Sequence, residues 1–77
     1  MEELLKGIAQ GLVDEPDAVS VSVDPADEEG VTVYHLHVAE NDTGRVIGKQ
    51  GRIAKAIRTI MRSAGSRADL KIQVEID

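Results

Sequence analysis

One stretch of the chain decides the fold: Gly44-Arg-Val-Ile-Gly-Lys-Gln-Gly-Arg-Ile-Ala-Lys-Ala-Ile-Arg-Thr-Ile-Met61. Within it, the four residues Gly48-Lys-Gln-Gly51 separate two predicted helices. The first helix is one turn long, begins at the capping signal Asn41-Asp42-Thr43, reaches about Ile47 and ends at Gly48. The stretch therefore predicts two helices that meet at a short corner with a glycine at each end.

The second helix is predicted to run from Gly51 to about Ala64 and to end at Gly65. Its apolar positions gather on one side of a helical wheel: Ile53, Ile57, Ile60, Met61 and Ala64. Its basic positions gather on the opposite side: Arg52, Lys55, Arg58 and Arg62. The apolar side is expected to face the core, and the basic side to face solvent or a ligand.

The rest of the chain reads as one helix and three strands. The helix spans 2–13, with Leu4, Leu5, Ile8 and Leu12 as its apolar stripe. The strands span 18–23, 31–39 and 70–76; the first and third alternate apolar and polar residues, whereas the second alternates less cleanly and is rich in β-forming residues. On the second strand Tyr34, Leu36 and Val38 are assigned to the core, and Val31, Val33, His35 and His37 to the other face. The order α-β-β-α-α-β predicts a single α+β domain over residues 1–77, with helices on one face of a three-stranded sheet.

Charge is strongly segregated along the chain. The net charge is −5, yet no acidic residue occurs between Thr43 and Ala68. That segment holds seven of the nine lysines and arginines, while all fourteen acidic residues lie outside it. A basic segment of one sign is typical of a surface that meets a negatively charged partner. The alternative for any one of these residues, above all Arg58 and Arg62, is an ordinary solvated helix face.

The glycine corner has the features that a loop needs to hold a phosphodiester chain. Glycine permits close approach, a helix N-terminus supplies N–H donors, and Lys49, Arg45 and Arg52 supply positive charge. Apolar residues beside the loop, such as Val46 and Ile47, can hold the unstacked bases of a single strand.

The segment Val46-Ile-Gly-Lys-Gln-Gly51 followed by a helix resembles the signature of KH domains, whose GXXG loop clamps four nucleotides of backbone. The element order resembles the type II variant, which implies a mixed sheet. The run from Gly44 to Met61 is most similar to the small bacterial KhpA family, over essentially the whole chain. That resemblance implies a cytoplasmic, non-enzymatic protein that binds single-stranded RNA and acts as an RNA chaperone or post-transcriptional regulator. It also implies a homodimer, or a heterodimer with a KhpB/Jag-type protein, and links to cell elongation, cell shape and envelope homeostasis.

The resemblance assigns the loop residues to phosphate contact and their neighbours to the groove. The expected RNA-binding residues are Arg45, Val46, Ile47, Gly48, Lys49, Gln50, Gly51, Arg52, Ala54 and Lys55. Many KH domains carry a large aliphatic residue where this chain has Ala54, so the groove is expected to be shallow and weakly sequence-specific.

Other classes of function find little support in the sequence. His35 and His37 share a strand face, but no third ligand completes a metal site. No catalytic constellation, cofactor motif, small-molecule site, signal sequence or membrane span is predicted. The rival hypothesis is a protein-interaction or dimerisation module on the same scaffold, with the sheet face that carries Val31, Val33, His35 and His37 as its binding surface.

Overall fold

The fold is a three-stranded sheet whose central strand pairs antiparallel with one neighbour and parallel with the other. The structure is a computed structural model that describes residues 1–76. Its helices are α1 (Glu2–Gln10), α2 (Thr43–Ile47) and α3 (Arg52–Arg67), and its strands are β1 (Ser20–Asp24), β2 (Val31–His37) and β3 (Lys71–Ile76). The chain also forms three short 3-10 helices: Pro16–Ala18, Glu40–Asp42 and Lys49–Gly51.

The sheet has the order β1-β2-β3. Strand β1 runs antiparallel to β2, with Ser20 opposite His37, and β3 runs parallel to β2, with Val31 opposite Lys71. A parallel pair needs a crossover connection, and here α2 and α3 provide it. The predicted three-stranded mixed sheet of a type II KH fold is confirmed.

The helices cover one face of this sheet. Tyr34 and Leu36 of β2 are buried, as are Ile72 and Val74 of β3, while the residues between them are half-buried or exposed. These alternate positions meet side chains from all three helices in one core, which consists of Leu5, Ala9, Val19, Tyr34, Leu36, Val46, Ile57, Met61, Ile72 and Val74. The one-sided helix layer predicted from the alternation is therefore present.

The predicted apolar face of α3 was wrong at its edges. The buried residues are Ala54, Ile57, Met61 and Gly65. Ile60 is 46% exposed, and Ile53 is only partly buried. Ala54 and Gly65, near the ends of the buried stripe, are small and let the backbone of α3 lie close to its neighbours. The buried face of α3 is therefore rotated from the face that the isoleucines predicted.

The helix also continues through Gly65 to Arg67, because Gly65 packs against β3 and does not end the helix. A Cβ at Gly65 would lie 2.8 Å from Cδ1 of Ile72 and 3.1 Å from the carbonyl oxygen of Leu70. The chain reverses after the helix at Asp69, whose φ is 59°. Leu70 was predicted to face the core, but it precedes β3 and is 48% exposed.

The N-terminal elements are shorter or shifted relative to the prediction. Helix α1 ends at Gln10, well before Pro16, and its buried residues are Leu5 and Ala9. Leu4 and Leu12 are 43% and 36% exposed. Strand β1 begins at Ser20, because residues 16–18 form a 3-10 helix that starts with the proline.

Asp42 has a different role from the predicted helix cap. Helix α2 does begin at Thr43, but no side-chain cap is made there. The Asp42 carboxylate is wholly buried and accepts hydrogen bonds from the backbone N–H groups of Asp14 (3.1 Å) and Glu15 (3.0 Å). It therefore ties the connection between α1 and β1 to the start of α2.

We expect Asp42→Ala to lower the free energy of unfolding by about 2–3 kcal/mol, because it leaves two part-buried N–H groups without their acceptor. Asp27 is the matched control, since its Oδ1 also accepts two backbone N–H groups, from Glu29 and Val31, but at an exposed loop. Asp27→Ala is expected to cost about 1 kcal/mol or less, because water can replace the acceptor. Urea denaturation measures both, and equal losses would contradict the assigned role of Asp42.

Two glycine substitutions should change stability in opposite directions. Gly7 lies in α1, and a Cβ added there would meet nothing within 4 Å, so Gly7→Ala should raise the free energy of unfolding by up to about 1 kcal/mol. Gly65→Ala should lower it by about 1–3 kcal/mol, because the new Cβ would overlap Ile72. Thermal unfolding followed by circular dichroism checks the two signs, and stabilisation by both variants would show that α3 can move away from β3.

Candidate nucleic-acid interface

The corner between α2 and α3 is built from left-handed backbone. Gly48 has φ 76° and Gly51 has φ 74°, and Gln50 between them has φ 58°. Hydrogen bonds from Gly48 N–H to the carbonyl oxygen of Gly44 (2.8 Å) and from Gly51 N–H to that of Gly48 (3.2 Å) hold the corner. Positive φ is readily adopted by glycine, which explains both loop glycines at the level of the backbone.

The two glycines differ in what surrounds them. A Cβ at Gly48 would lie 2.6 Å from Cγ1 of Ile53, so this glycine is also required by packing against α3. A Cβ at Gly51 would meet nothing within 4 Å. The first glycine thus faces inward, and the second leaves open space at the surface where another chain can approach the backbone.

The open space adjoins the N-terminus of α3. This helix is sixteen residues long, and its N-cap residue Gly51 makes no side-chain capping hydrogen bond. The first N–H groups of a helix have no partners within the helix and carry partial positive charge. Here the N–H of Arg52 donates to the carbonyl oxygen of Lys49, and the N–H groups that follow it can donate to an anion such as a phosphate.

Three exposed cations lie near the N-terminus of α3 and form no ion pairs with carboxylates among the described residues. Lys49, Arg52 and Lys55 are all exposed. Within residues 1–76 no carboxylate oxygen lies within 4.0 Å of their nitrogens. Arg45 differs, because its Nη2 lies 2.9 Å from Oδ2 of Asp14 and its Nε 3.4 Å from Oδ1 of Asp42.

The apolar residues assigned to the groove divide into two groups. Val46 is 0% and Ala54 is 4% exposed, so both support the corner from inside the core. Ile47 is 36% exposed and is the apolar side chain that the loop presents at the surface. The structure thus places the predicted site residues around one corner with these two beneath it, except that the guanidinium of Arg45 is ion-paired with Asp14 and Asp42.

The basic stripe continues along α3 into a groove beside β3. Arg58 and Arg62 follow Lys55 at spacings of three and four residues, which places them on one helix face. Together with Lys71 they line a groove of about 540 Å³ along β3, whose other lining residues are Val31, Ile72, Gln73, Val74 and Glu75. The sequence did not single out Lys71, because only the parallel pairing of β3 brings it opposite Val31.

The histidine pair lies on the open face of the sheet. His35 Nε2 is 2.7 Å from Oδ2 of Asp24 on β1. Among residues 1–76, no cluster of three histidine, cysteine, aspartate or glutamate residues is arranged to hold a metal ion. In the same range, no helix is both long and apolar enough to cross a membrane.

Comparison with known proteins places this geometry in a family. The sequence profile of the KhpA/KhpB KH domain matches residues 2–76. The RNA-binding protein KhpA of Listeria monocytogenes is 50% identical over 76 residues, which cover 99% of this chain and 97% of that protein. The RNA-binding proteins KhpA of Clostridium acetobutylicum (49%, covering 99% of each chain) and Treponema pallidum (43%, covering 97% and 91%) are similar over almost the same length.

Solved structures show the same fold at low sequence identity. One is Aquifex aeolicus Era bound to GDP and aluminium fluoride, with a TM-score of 0.66 and 21% identity over 97% of this chain and 28% of Era. Another is Era in complex with MgGDPNP and nucleotides 1506–1542 of 16S ribosomal RNA, with a TM-score of 0.61 and 20% identity over the same shares. The profile match and the identity to full-length relatives together show that the chain belongs to the KhpA/KhpB family of KH-domain proteins.

Proposed function

We propose that this protein binds single-stranded RNA through the Gly48-Lys49-Gln50-Gly51 loop, without enzymatic activity. The observation that carries the proposal is the open space at Gly51, which adjoins an uncapped helix N-terminus and three cations without carboxylate partners among residues 1–76. These are the requirements for contact with a sugar-phosphate backbone. The names of the relatives, all RNA-binding proteins, support the same function.

The path of the RNA follows from the charge. A phosphate at the loop would lie at one end of the basic stripe, and Arg62 lies at the other, about 15 Å away along α3 at 1.5 Å per residue. Lys49 and Arg52 would contact the backbone, and Gln50 would hydrogen-bond the sugar-phosphate chain. The exposed Ile47 and the groove beside β3 would receive the bases.

Sequence specificity should be low. Tyr34 is the chain's single aromatic residue, and it is buried in the core. No phenylalanine, tyrosine or tryptophan ring is therefore exposed for bases to stack on, and we expect bases to be held mainly by aliphatic contacts and hydrogen bonds. Because the remaining attraction is electrostatic, affinity for one domain should be modest and should fall steeply with salt.

The cellular role that we infer is that of a cytoplasmic RNA chaperone or post-transcriptional regulator, acting as a homodimer or with a KhpB/Jag-type partner in cell elongation and envelope homeostasis. Pairing would bring two RNA-binding loops together and raise affinity through effective concentration.

The open sheet face is less apolar than the sequence suggested, because Val33 is half-buried and lies between Asp24 and Gln73. Ile60 on α3 is the more exposed apolar side chain.

If pairing uses α3, Ile60→Asp should convert the protein to a monomer in sedimentation velocity, because a charge replaces an exposed apolar contact. Val33→Asp on the open face is the matched variant and should leave the association unchanged. The opposite result would assign pairing to the sheet face, and a wild-type monomer at all concentrations would exclude self-association.

The loop assignment is tested by fluorescence anisotropy of a labelled single-stranded RNA at low and moderate salt. Lys49→Asp combined with Gln50→Asp should weaken binding at least ~10-fold, because it removes one cation and places two negative charges at the loop. Aspartate tolerates the positive φ at position 50, so the backbone should be retained.

The matched control is Lys6→Asp combined with Gln10→Asp, which makes the same substitutions on the exposed surface of α1. It changes the net charge equally, and it should bind RNA within about twofold of wild type. Equal weakening by both double variants would mean that binding depends only on net charge, and it would contradict the loop assignment.

A further inference from the structure

Arg45 is close to the glycine loop in the chain, but its charge is already engaged. It precedes Gly48 by three residues, about one turn of α2, so its backbone lies next to the loop. Its guanidinium is held at the connection between α1 and β1, because Asp14 belongs to that connection and Asp42 is hydrogen-bonded to it. The cation nearest the loop in sequence on its N-terminal side is thus ion-paired with Asp42, at the end of α2 opposite the end that leads into the loop.

The two carboxylates that hold Arg45 differ in burial. Asp42 is wholly buried and accepts two backbone hydrogen bonds, so it cannot turn away. The Asp14 side chain is 66% exposed, and its Oδ2 lies 2.9 Å from Nη2 of Arg45. An exposed ion pair of this kind contributes little to the free energy of unfolding. Another anion can therefore replace the Asp14 carboxylate at Arg45 at low cost. Nη2 is also one of the donors that a phosphate oxygen would use.

We propose that Asp14 sets the RNA affinity of this protein by competing with a phosphate for Arg45. In the wild type, Asp14 withholds the Nη2 donor from RNA. When the Asp14 charge is removed, Nε of Arg45 stays on Asp42 while Nη2 becomes available one turn before the loop. The inference rests on the proposed RNA-binding function and adds a residue that determines its strength.

The test compares the single-stranded RNA affinity of wild type with that of Asp14→Asn, which keeps the size of the side chain. Asp17→Asn is the matched control, because Asp17 is exposed and lies in the same connection. This substitution changes the net charge by the same amount as Asp14→Asn. We expect Asp14→Asn to bind about 2–5-fold more tightly than the control, the range that an exposed ion pair allows. The slope of the logarithm of the binding constant against the logarithm of the salt concentration should become more negative by about 0.7, as expected for one additional phosphate contact with a single strand.

A double-mutant cycle with Arg45→Gln shows whether the gain passes through Arg45. The gain from Asp14→Asn should disappear in the Arg45→Gln background. Because Arg45→Gln can disturb folding, NMR of the Arg45 Nε–H signal provides a second measurement. On RNA addition the signal should shift more in Asp14→Asn than in wild type.

The outcomes separate this inference from the proposed function. If Asp14→Asn binds like Asp17→Asn, or more weakly than wild type, the competition is overturned, while loss of binding in the Lys49→Asp and Gln50→Asp variant would still support the loop. If wild type binds no RNA, or binding survives that double variant, the proposed function fails and the inference fails with it.

Discussion

The corner between α2 and α3 depends on a contact that only a residue without a Cβ can make. Gly48 lies so close to Ile53 that a methyl group would overlap its side chain at 2.6 Å. This contact brings the end of α2 against the first turn of α3 and directs Gly51 outward. The open N-terminus of α3, the cations around it and the groove beyond it all take their positions from that corner. Gly48 therefore allows the two helices to pack, and Gly51 leaves room for a ligand.

A buried carboxylate connects this corner to the rest of the domain. Asp42 lies immediately before α2 and receives two N–H groups from the connection that leads into β1. A buried charge is costly unless it is well paired, and here two backbone donors and the Nε of Arg45 satisfy it. The same arrangement engages the charge of Arg45 with Asp14 and Asp42. One structural solution thus affects both the stability of the domain and the charge that its surface presents.

The acidic net charge of the protein is compatible with binding RNA because the charges are separated in space. The cations of α3 form a stripe that starts at the loop, and β3 adds Lys71 to its far end. Among residues 1–76, the acidic residues lie on α1, on the connections and on β1 and β3, where Glu75 also lines the groove. Long-range repulsion from these acids should weaken RNA association at low salt, while the local field at the loop attracts phosphate. The protein is therefore expected to bind RNA in one orientation, with the α3 side facing the nucleic acid.

Hydrophobic periodicity and the glycine spacing were sufficient to predict the element order, the one-sided helix layer and the loop, because these features depend on local backbone preference and on which side chains avoid water. The buried stripe of α3 and its continuation through Gly65 were decided by the close approach of β3, which no local pattern records. The partners of Asp42 were also decided by tertiary structure, because they lie 27 and 28 residues away in the chain. The sequence by itself determined where a phosphate-binding loop is expected, whereas the tertiary structure decided which of its neighbouring cations remain available, since ion pairs form between groups that only folding brings together.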